Sequence, residues 1–399
     1  MEFKTVKLSD VVSVLGDGIH GTPKYTENGE YYFINGNNLS EGKIIIKQDT
    51  KRVDLEEYKK YKKELNERTL LVSINGTLGN VAVYNNEKCI LGKSACYFNI
   101  KENVNKEFIK YILYSKEFQK YIQEYATGTT IKNMSLKAMR EYEFKLPEIN
   151  IQNKIACILS NIDKKIELNN QINDNLYEIT NKLYEQLFVI ERQDDWKEYN
   201  LQELMDISNG YSYTGKELVD TSVVGMATIK NFERTGGFKE EGFKDIEPIK
   251  AKDIHYADKF DILVACTDLT QNADIIGNAI MLLNIGNYEK VVISMDLVKI
   301  LPKKNKYLVF SILNSKEFKN FALGYKTGTT VLHLNKNCFK DFRIKLPDFD
   351  KIENFEKVVE TNYKKISYNL EENNTLTQLR DTLLPKLMNG EIDLDKIEI

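Results

Sequence analysis

The sequence predicts an α+β fold in which two β-rich globular domains are separated by two long helices that pack as a coiled coil. Three observations carry this reading. The chain is written twice, each copy opens with short strands, and each copy closes on a long run that holds neither glycine nor proline. The predicted bounds are a first globular domain over 1–148, a central helix over 149–190, a second globular domain over 191–348, a C-terminal helix over 349–390 and an acidic tail over 391–399.

The duplication is the firmest element. Ser115-Lys116-Glu117-Phe118 returns as Ser315-Lys316-Glu317-Phe318, 200 residues later. At that same shift Thr127-Gly128-Thr129-Thr130 matches Thr327-Gly328-Thr329-Thr330, and Lys145-Leu146-Pro147 matches Lys345-Leu346-Pro347. Near the N-terminus the shift falls to about 193, where Lys7-Leu8-Ser9-Asp10 faces Asn200-Leu201-Gln202-Glu203. Fixed spacing across separate blocks marks an internal repeat. The copies agree at their ends and differ in the middle, which suits two readers of different ligands better than a duplicated structural part.

Within each globular part, β-branched and aromatic runs bounded by Asn and Gly predict strands. Tyr31-Tyr32-Phe33-Ile34, Leu70-Leu71-Val72-Ser73-Ile74 and Val81-Ala82-Val83-Tyr84 are such runs, with Ile262-Leu263-Val264-Ala265 and Val291-Val292-Ile293 in the second copy. Phe108, Ile112, Phe118 and Ile122 lie at helical spacing and predict one helix over 106–125, repeated over 307–325. The Lys-Leu-Pro tripeptides then close each part, because a residue before proline avoids the α region.

The rods follow from a heptad. Ile155, Leu159, Ile162, Ile166, Asn169, Asn173, Leu176, Thr180, Leu183, Leu187 and Ile190 alternate four and three residues apart. Phe355, Val359, Asn362, Ile366, Asn369, Asn373, Leu376, Arg380, Leu383 and Leu387 keep that register. Such a seam over about 40 residues predicts paired helices roughly 60 Å long. The central asparagines are placed to hydrogen-bond across the seam and fix register at some cost in stability, in either orientation. Pro385 stands where the first helix has Glu185 and predicts a kink or a helix end.

Composition excludes several classes. A net charge of −3 argues against a bulk polycation. It allows local basic clusters, and it also fits the alternative of a non-catalytic pair of protein-binding β modules on a coiled-coil rod. The five cysteines form no CxxC pair and predict buried thiols in a reducing cytoplasm. No apolar run has the length of a membrane span or of a signal peptide. The three histidines lack zinc spacing, and no phosphate-cradling Gly-x-x-x-x-Gly-Lys loop is present. No Asn/Asp-Pro-Pro-Tyr methyltransferase motif exists either, since all six prolines are isolated.

At residue level the chain resembles the DNA-recognition (specificity) subunit of type I restriction–modification systems. Three stretches carry the likeness: Asp17-Gly18-Ile19-His20-Gly21-Thr22-Pro23-Lys24-Tyr25; the Thr-Gly-Thr-Thr blocks with their following Leu-Pro; and 379–392, from Leu379-Arg380-Asp381 to Asn389-Gly390-Glu391-Ile392. The resemblance implies two target-recognition domains and an antiparallel, pseudo-two-fold pairing of the helices. It further implies double-stranded DNA as ligand, with two methyltransferase subunits and restriction/translocase subunits as partners. Those partners, and not this chain, would use S-adenosylmethionine, ATP and magnesium. The second copy departs from the pattern, holding Asn209-Gly210-Tyr211-Ser212-Tyr213 where the first has its His-Gly-Thr-Pro loop.

Base edges are read by paired donors and acceptors, and phosphates by hydroxyls and backbone amides in small-residue loops. The candidates in the first copy are Gly18, His20, Thr22, Lys24, Thr129, Thr130 and Lys132. In the second they are Asn209, Tyr211, Tyr213, Lys230, Asn231, Gln271, Thr329, Thr330 and His333. His20 either braces the turn before Pro23 or meets DNA. The Thr-Gly-Thr-Thr blocks, present in both copies, suit phosphate contact or helix capping rather than specificity.

Overall fold

The computed structural model describes residues 3–40, 42–128, 131–234, 236–268, 270, 273–392 and 394. Two compact units result, the first from Met1–Lys165 with Leu376–Ile399 and the second from Ile166–Thr375. Each unit thus takes one globular part and a portion of both long helices.

Unit 1 is built on an antiparallel sheet in the order Val12–Asp17, Ala95–Ile100, Thr69–Asn75, Thr77–Val83. A smaller sheet joins Arg52–Val53, Tyr31–Ile34 and Cys89–Leu91. Strand Thr69–Asn75 is nearly continuous in apolar residues because both its faces are covered. Leu70, Val72 and Ile74 face the cluster that holds Phe98, Phe108 and Phe118, whereas Leu71 faces Ile34 and Leu91. Strand Ile262–Ala265 of unit 2 repeats the device: Ile262 and Val264 enter one cluster, Leu263 and Ala265 another. Alternation at period 2 is thereby preserved inside an apolar run.

The helix expected over 106–125 is two helices, Lys106–Tyr114 and Lys116–Tyr125. Ser115 between them is extended and accepts the amide of Phe118 at 3.2 Å. The second copy breaks likewise into Lys306–Asn314 and Lys316–Leu323 at Ser315. The repeated Ser-Lys-Glu-Phe block is therefore a helix restart.

The long helices are Ile149–Tyr184, continued by a π-helical turn over Glu185–Ile190, and Phe349–Met388. In unit 2 their partners run in opposite senses: Asn169 faces Asn373, Asn173 faces Asn369, and Thr180 faces Asn362. Unit 1 pairs Asp163 with Arg380 in the same antiparallel sense. The seam does not extend to Ile190, which is 66% exposed. The wide π turn rotates the inward face, so Tyr184 and Phe188 are buried there while Leu183 and Leu187 only pack beside them.

The helix runs through Pro385 and ends within that turn, at Met388. Here proline lies in the last turn, so little helix remains to disrupt. Glu391 N donates to Lys386 O at 2.9 Å and Gly390 N to Leu387 O at 3.3 Å, with Gly390 at φ +72°. That pair of bonds is the Schellman ending, and the positive φ is why glycine stands there.

Asn169 Nδ2 donates to Asn373 Oδ1 at 2.9 Å, and Asn369 Nδ2 to Asn173 Oδ1 at 2.8 Å. The carbonyl oxygens of Asn169 and Asn369 are buried without a partner. Orphaned acceptors cost stability, so the quartet serves register rather than strength. Asn369→Leu alone removes the donor to Asn173 and is expected to cost about 1–3 kcal/mol. Replacing all four by leucine is expected instead to raise stability while loosening register. Denaturant titration of both variants checks the contrast, and equal signs would contradict it.

Equivalent junctions between globular part and helix are solved with different chemistry. In unit 1, Asp163 accepts from the Tyr111 hydroxyl at 2.6 Å and pairs with Arg380 at 3.1 Å and Lys110 at 3.6 Å. Burial and that carboxylate push the Tyr111 hydroxyl pKa up. In unit 2, position 363 is tyrosine, ringed by Tyr307, Phe310 and Tyr177 at 5.3–6.0 Å. Four of the five cysteines are buried, as expected, but Cys157 is half-buried.

Candidate functional site

Unit 1 carries a concave cleft of about 400 Å³. Four stretches wall it: Asp17 and His20; Ile74 and Asn75 at the end of a strand; Lys93 in the turn before Ala95–Ile100; and residues 133–136. The loop that opens the chain and the segment after Thr-Gly-Thr-Thr are far apart in sequence and meet here. Asn75 Nδ2 donates to Asn133 Oδ1 at 3.1 Å, and Met134 N to Ile74 O at 2.8 Å.

The predicted residues fall into distinct places. Gly18 is buried: a Cβ there would lie 2.0 Å from the Leu91 carbonyl oxygen, which Ile19 N binds at 2.8 Å. Its place in the structure demands close backbone approach, which only glycine allows. His20 does line the cleft. Its side chain is 74% exposed and Nε2 lies 2.8 Å from Asp17 Oδ2, so it is oriented by Asp17 rather than bracing Pro23. Thr22, Lys24 and Lys132 are exposed, with the Lys24 amide held by Glu57 at 3.0 Å. Thr129, Thr130 and Gln271 lie outside the described residues.

Thr127 and Thr327 take part in strand pairing rather than in helix capping. Thr127 and Asn133 exchange backbone bonds of 2.9 and 2.7 Å and so pair antiparallel. The following helix, Leu136–Glu141, is capped by Ser135. In unit 2 the block joins strands Lys326–Thr327 and Leu332–Leu334, leaving Thr329, Thr330 and His333 exposed. Gly128 and Gly328 sit at φ +106° and +99°, where only glycine is unstrained.

Two candidates in unit 2 are structural. Tyr211 is buried, donates its hydroxyl to Glu217 and accepts the Lys250 amide at 3.1 Å. Asn231 is fully buried and binds Thr228 N at 2.8 Å and Lys239 O at 2.9 Å. Asn38 has the same duty in unit 1, bonding Asn35 N at 3.0 Å and Ile45 O at 3.0 Å. Tyr213 is half-buried against the Tyr211 cluster, Lys230 is exposed, and Asn209 is exposed with Lys336 Nζ donating to it.

Glu217 anchors the Asn209–Tyr213 loop. Bonds from the Ile249 amide, the Tyr211 hydroxyl and the Thr214 amide lower its pKa from 4.5 to about 2. A depressed carboxylate contributes stability above its unfolded pKa and loses it as pH falls through the folded one. The loop should therefore loosen between about pH 4.5 and pH 2. Glu217→Gln is expected to loosen it already at pH 7, seen as faster amide exchange at Thr214 and Ile249. Unchanged protection would contradict this anchoring.

Strand pairing equates the two copies where sequence could not. Ile19 bridges Gly92 as Tyr211 bridges Ser294, and Gly210, like Gly18, leaves no room for a Cβ, with Ser294 O at 1.9 Å. This sets Asp17 against Asn209, His20 against Ser212, and Lys93 against Met295. Likewise Asn75 bridges Asn133 as Thr267 pairs His333, and Met134 N binds Ile74 O as Leu334 N binds Cys266 O, both at 2.8 Å. The supporting backbone is shared; every side chain at the mouth differs. Asn75, Lys93 and their counterparts were missed in the sequence because each stands in a turn or at a strand end without a motif.

Among the described residues no group of three His, Cys, Asp or Glu could hold a metal ion, and no helix is long and apolar enough to cross a membrane.

Residues 1–178 match the family described as type I restriction modification DNA specificity domain. The MjaIX type I restriction enzyme specificity subunit of Methanocaldococcus jannaschii is 21% identical, covering 94% of this chain and 87% of its own length. The HindI specificity subunit of Haemophilus influenzae is 24% identical over 75% of this chain and 81% of its own. Among solved structures, a type I restriction-modification S subunit from M. genitalium superposes with a TM-score of 0.59 at 19% identity, covering 97% of this chain and 96% of that one. That superposition shows a shared fold.

Proposed function

The chain belongs to the type I restriction–modification specificity subunits, and from that premise we propose that its two units read the two dissimilar halves of a split DNA target. Members of this family are recognition components that bind DNA, assemble with other subunits and are not themselves catalytic. One observation carries the finer reading: the same backbone supports a mouth in both units, and the exposed residues at the mouth differ at every equated position. Two heads with one framework and different tips suit two different half-sites, with an unread gap between them.

The complex is proposed to hold two methyltransferase subunits together with restriction and translocase subunits, acting on double-stranded DNA in the cytoplasm. Those partners would use S-adenosylmethionine, ATP and magnesium, and this chain would direct them to the site. A net charge of −3 accords with phosphate affinity that is supplied in part by partners.

Selection from a randomised duplex pool by the chain with its methyltransferase partner tests this. The expected yield is two short, different sequence blocks at constant separation. A single uninterrupted block, or two identical inverted ones, would overturn it.

A further inference from the structure

We infer that Lys93 and Met295 are specificity-determining residues, occupying the same place in the two units and setting a different base preference in each half-site. The inference rests on the reading of each unit as a half-site reader and assigns which position does the discriminating.

Lys93 sits in the turn after Cys89–Leu91, exposed, and its side chain helps to line the cleft with His20 and Asn75. Among the described residues it makes no ion pair, so its ammonium is available to a ligand. Its neighbours are committed to structure: a Cβ on Gly92 would collide with Asn35, and Ser94 Oγ donates to Asn35 at 2.9 Å. The turn thus holds one outward side chain on a rigid base, as a reading residue requires.

Met295 takes that place in unit 2. It is 57% exposed, an uncommon position for a long apolar side chain, and its sulfur accepts from the Ser212 hydroxyl at 3.9 Å, as Ser212 stands where unit 1 has His20. Turn and flanking strands are the same, with Leu297 pairing Ala265 as Ala95 pairs Ser73. At the tip of that shared backbone turn the functional group differs. An ammonium donates to the O6 and N7 acceptors that guanine presents in the major groove. A thioether has no donor; it packs against an apolar edge, for which the thymine methyl is the major-groove partner. The geometry therefore points to guanine opposite Lys93 and thymine opposite Met295, one base in each half-site.

Reciprocal exchange tests this on the chain assembled with its methyltransferase partner, with binding read by selection from a randomised duplex pool. Lys93→Met is expected to lose about tenfold in preference for guanine at one position of one half-site and leave the other half-site untouched. Met295→Lys is expected to create a guanine preference at one position of the other. Lys93→Arg should retain guanine, which separates a lost contact from a misfolded turn. A uniform fall in affinity across all sequences would assign Lys93 to phosphate and overturn the inference, as would unchanged preferences in both exchanges. If the unmodified chain itself selects no split target, the half-site reading fails instead.

Discussion

Phe355→Ala is expected to destabilise unit 2 by about 3–5 kcal/mol, the range for emptying a well-packed aromatic site. Phe355 is 2% exposed and stands edge-on to Phe188 at 5.0 Å, with Tyr184 at 6.4 Å. Those two rings come from the end of the first long helix, where the π turn has rotated them inward. The mutation thus removes the contact that ties the beginning of the second helix to the end of the first. Phe355 also joins the cluster containing Phe318 and Phe339, so the cavity would open into the globular part as well. Denaturant unfolding followed by circular dichroism measures the loss. A change below about 1 kcal/mol, typical of a surface site, would mean that the helices are not packed as described.

The second large effect concerns DNA. Inserting one helical turn between Gln171 and Ile172, beside the asparagine quartet, lengthens the first helix by about 5.4 Å. On the proposed reading, helix length sets the unread gap, and a base-pair step is about 3.4 Å. The selected target is then expected to keep both half-sites and to widen its gap by about one or two base pairs. Affinity for the original spacing should fall at least about tenfold, because one half-site is displaced, and a misplaced base pair costs roughly 1–3 kcal/mol. Altered bases within a half-site at constant gap would contradict the role assigned to the helices.

Much of the fold was legible because it is encoded locally and twice. The 4–3 spacing through Asn169 and Asn173, with its repeat at Asn369 and Asn373, states a paired rod without any tertiary information. Orientation was not legible from the asparagines, being central in either direction, and only the bonds of Asn169 to Asn373 and Thr180 to Asn362 resolve it. Helix breaks were partly readable: Ser115 followed by Glu117 and Phe118 is a cap, but apolar spacing across it imitates one continuous helix.

The site was less legible, for a physical reason. Tyr211 and Asn231 have the chemistry of readers, yet distant partners, Glu217 and the Lys239 carbonyl, hold them inside. Gly18 carries a family motif, but its constraint is the Leu91 carbonyl on another strand. Conversely, Lys93 and Met295 look ordinary in sequence because their neighbours in the cleft come from other parts of the chain. Equating them needed strand pairing, since insertions between the copies change the shift from about 193 near the N-terminus to 202 at Lys93 and then to 200 from Ser115 onward.

Mapping methylated adenines across the DNA of a host that carries this chain with the proposed methyltransferase subunits tests the two-reader account most directly. The account predicts one motif made of two unlike specific blocks, separated by a gap of fixed length and indifferent sequence. Methylation at a continuous motif, or at a palindrome with identical halves, would contradict it.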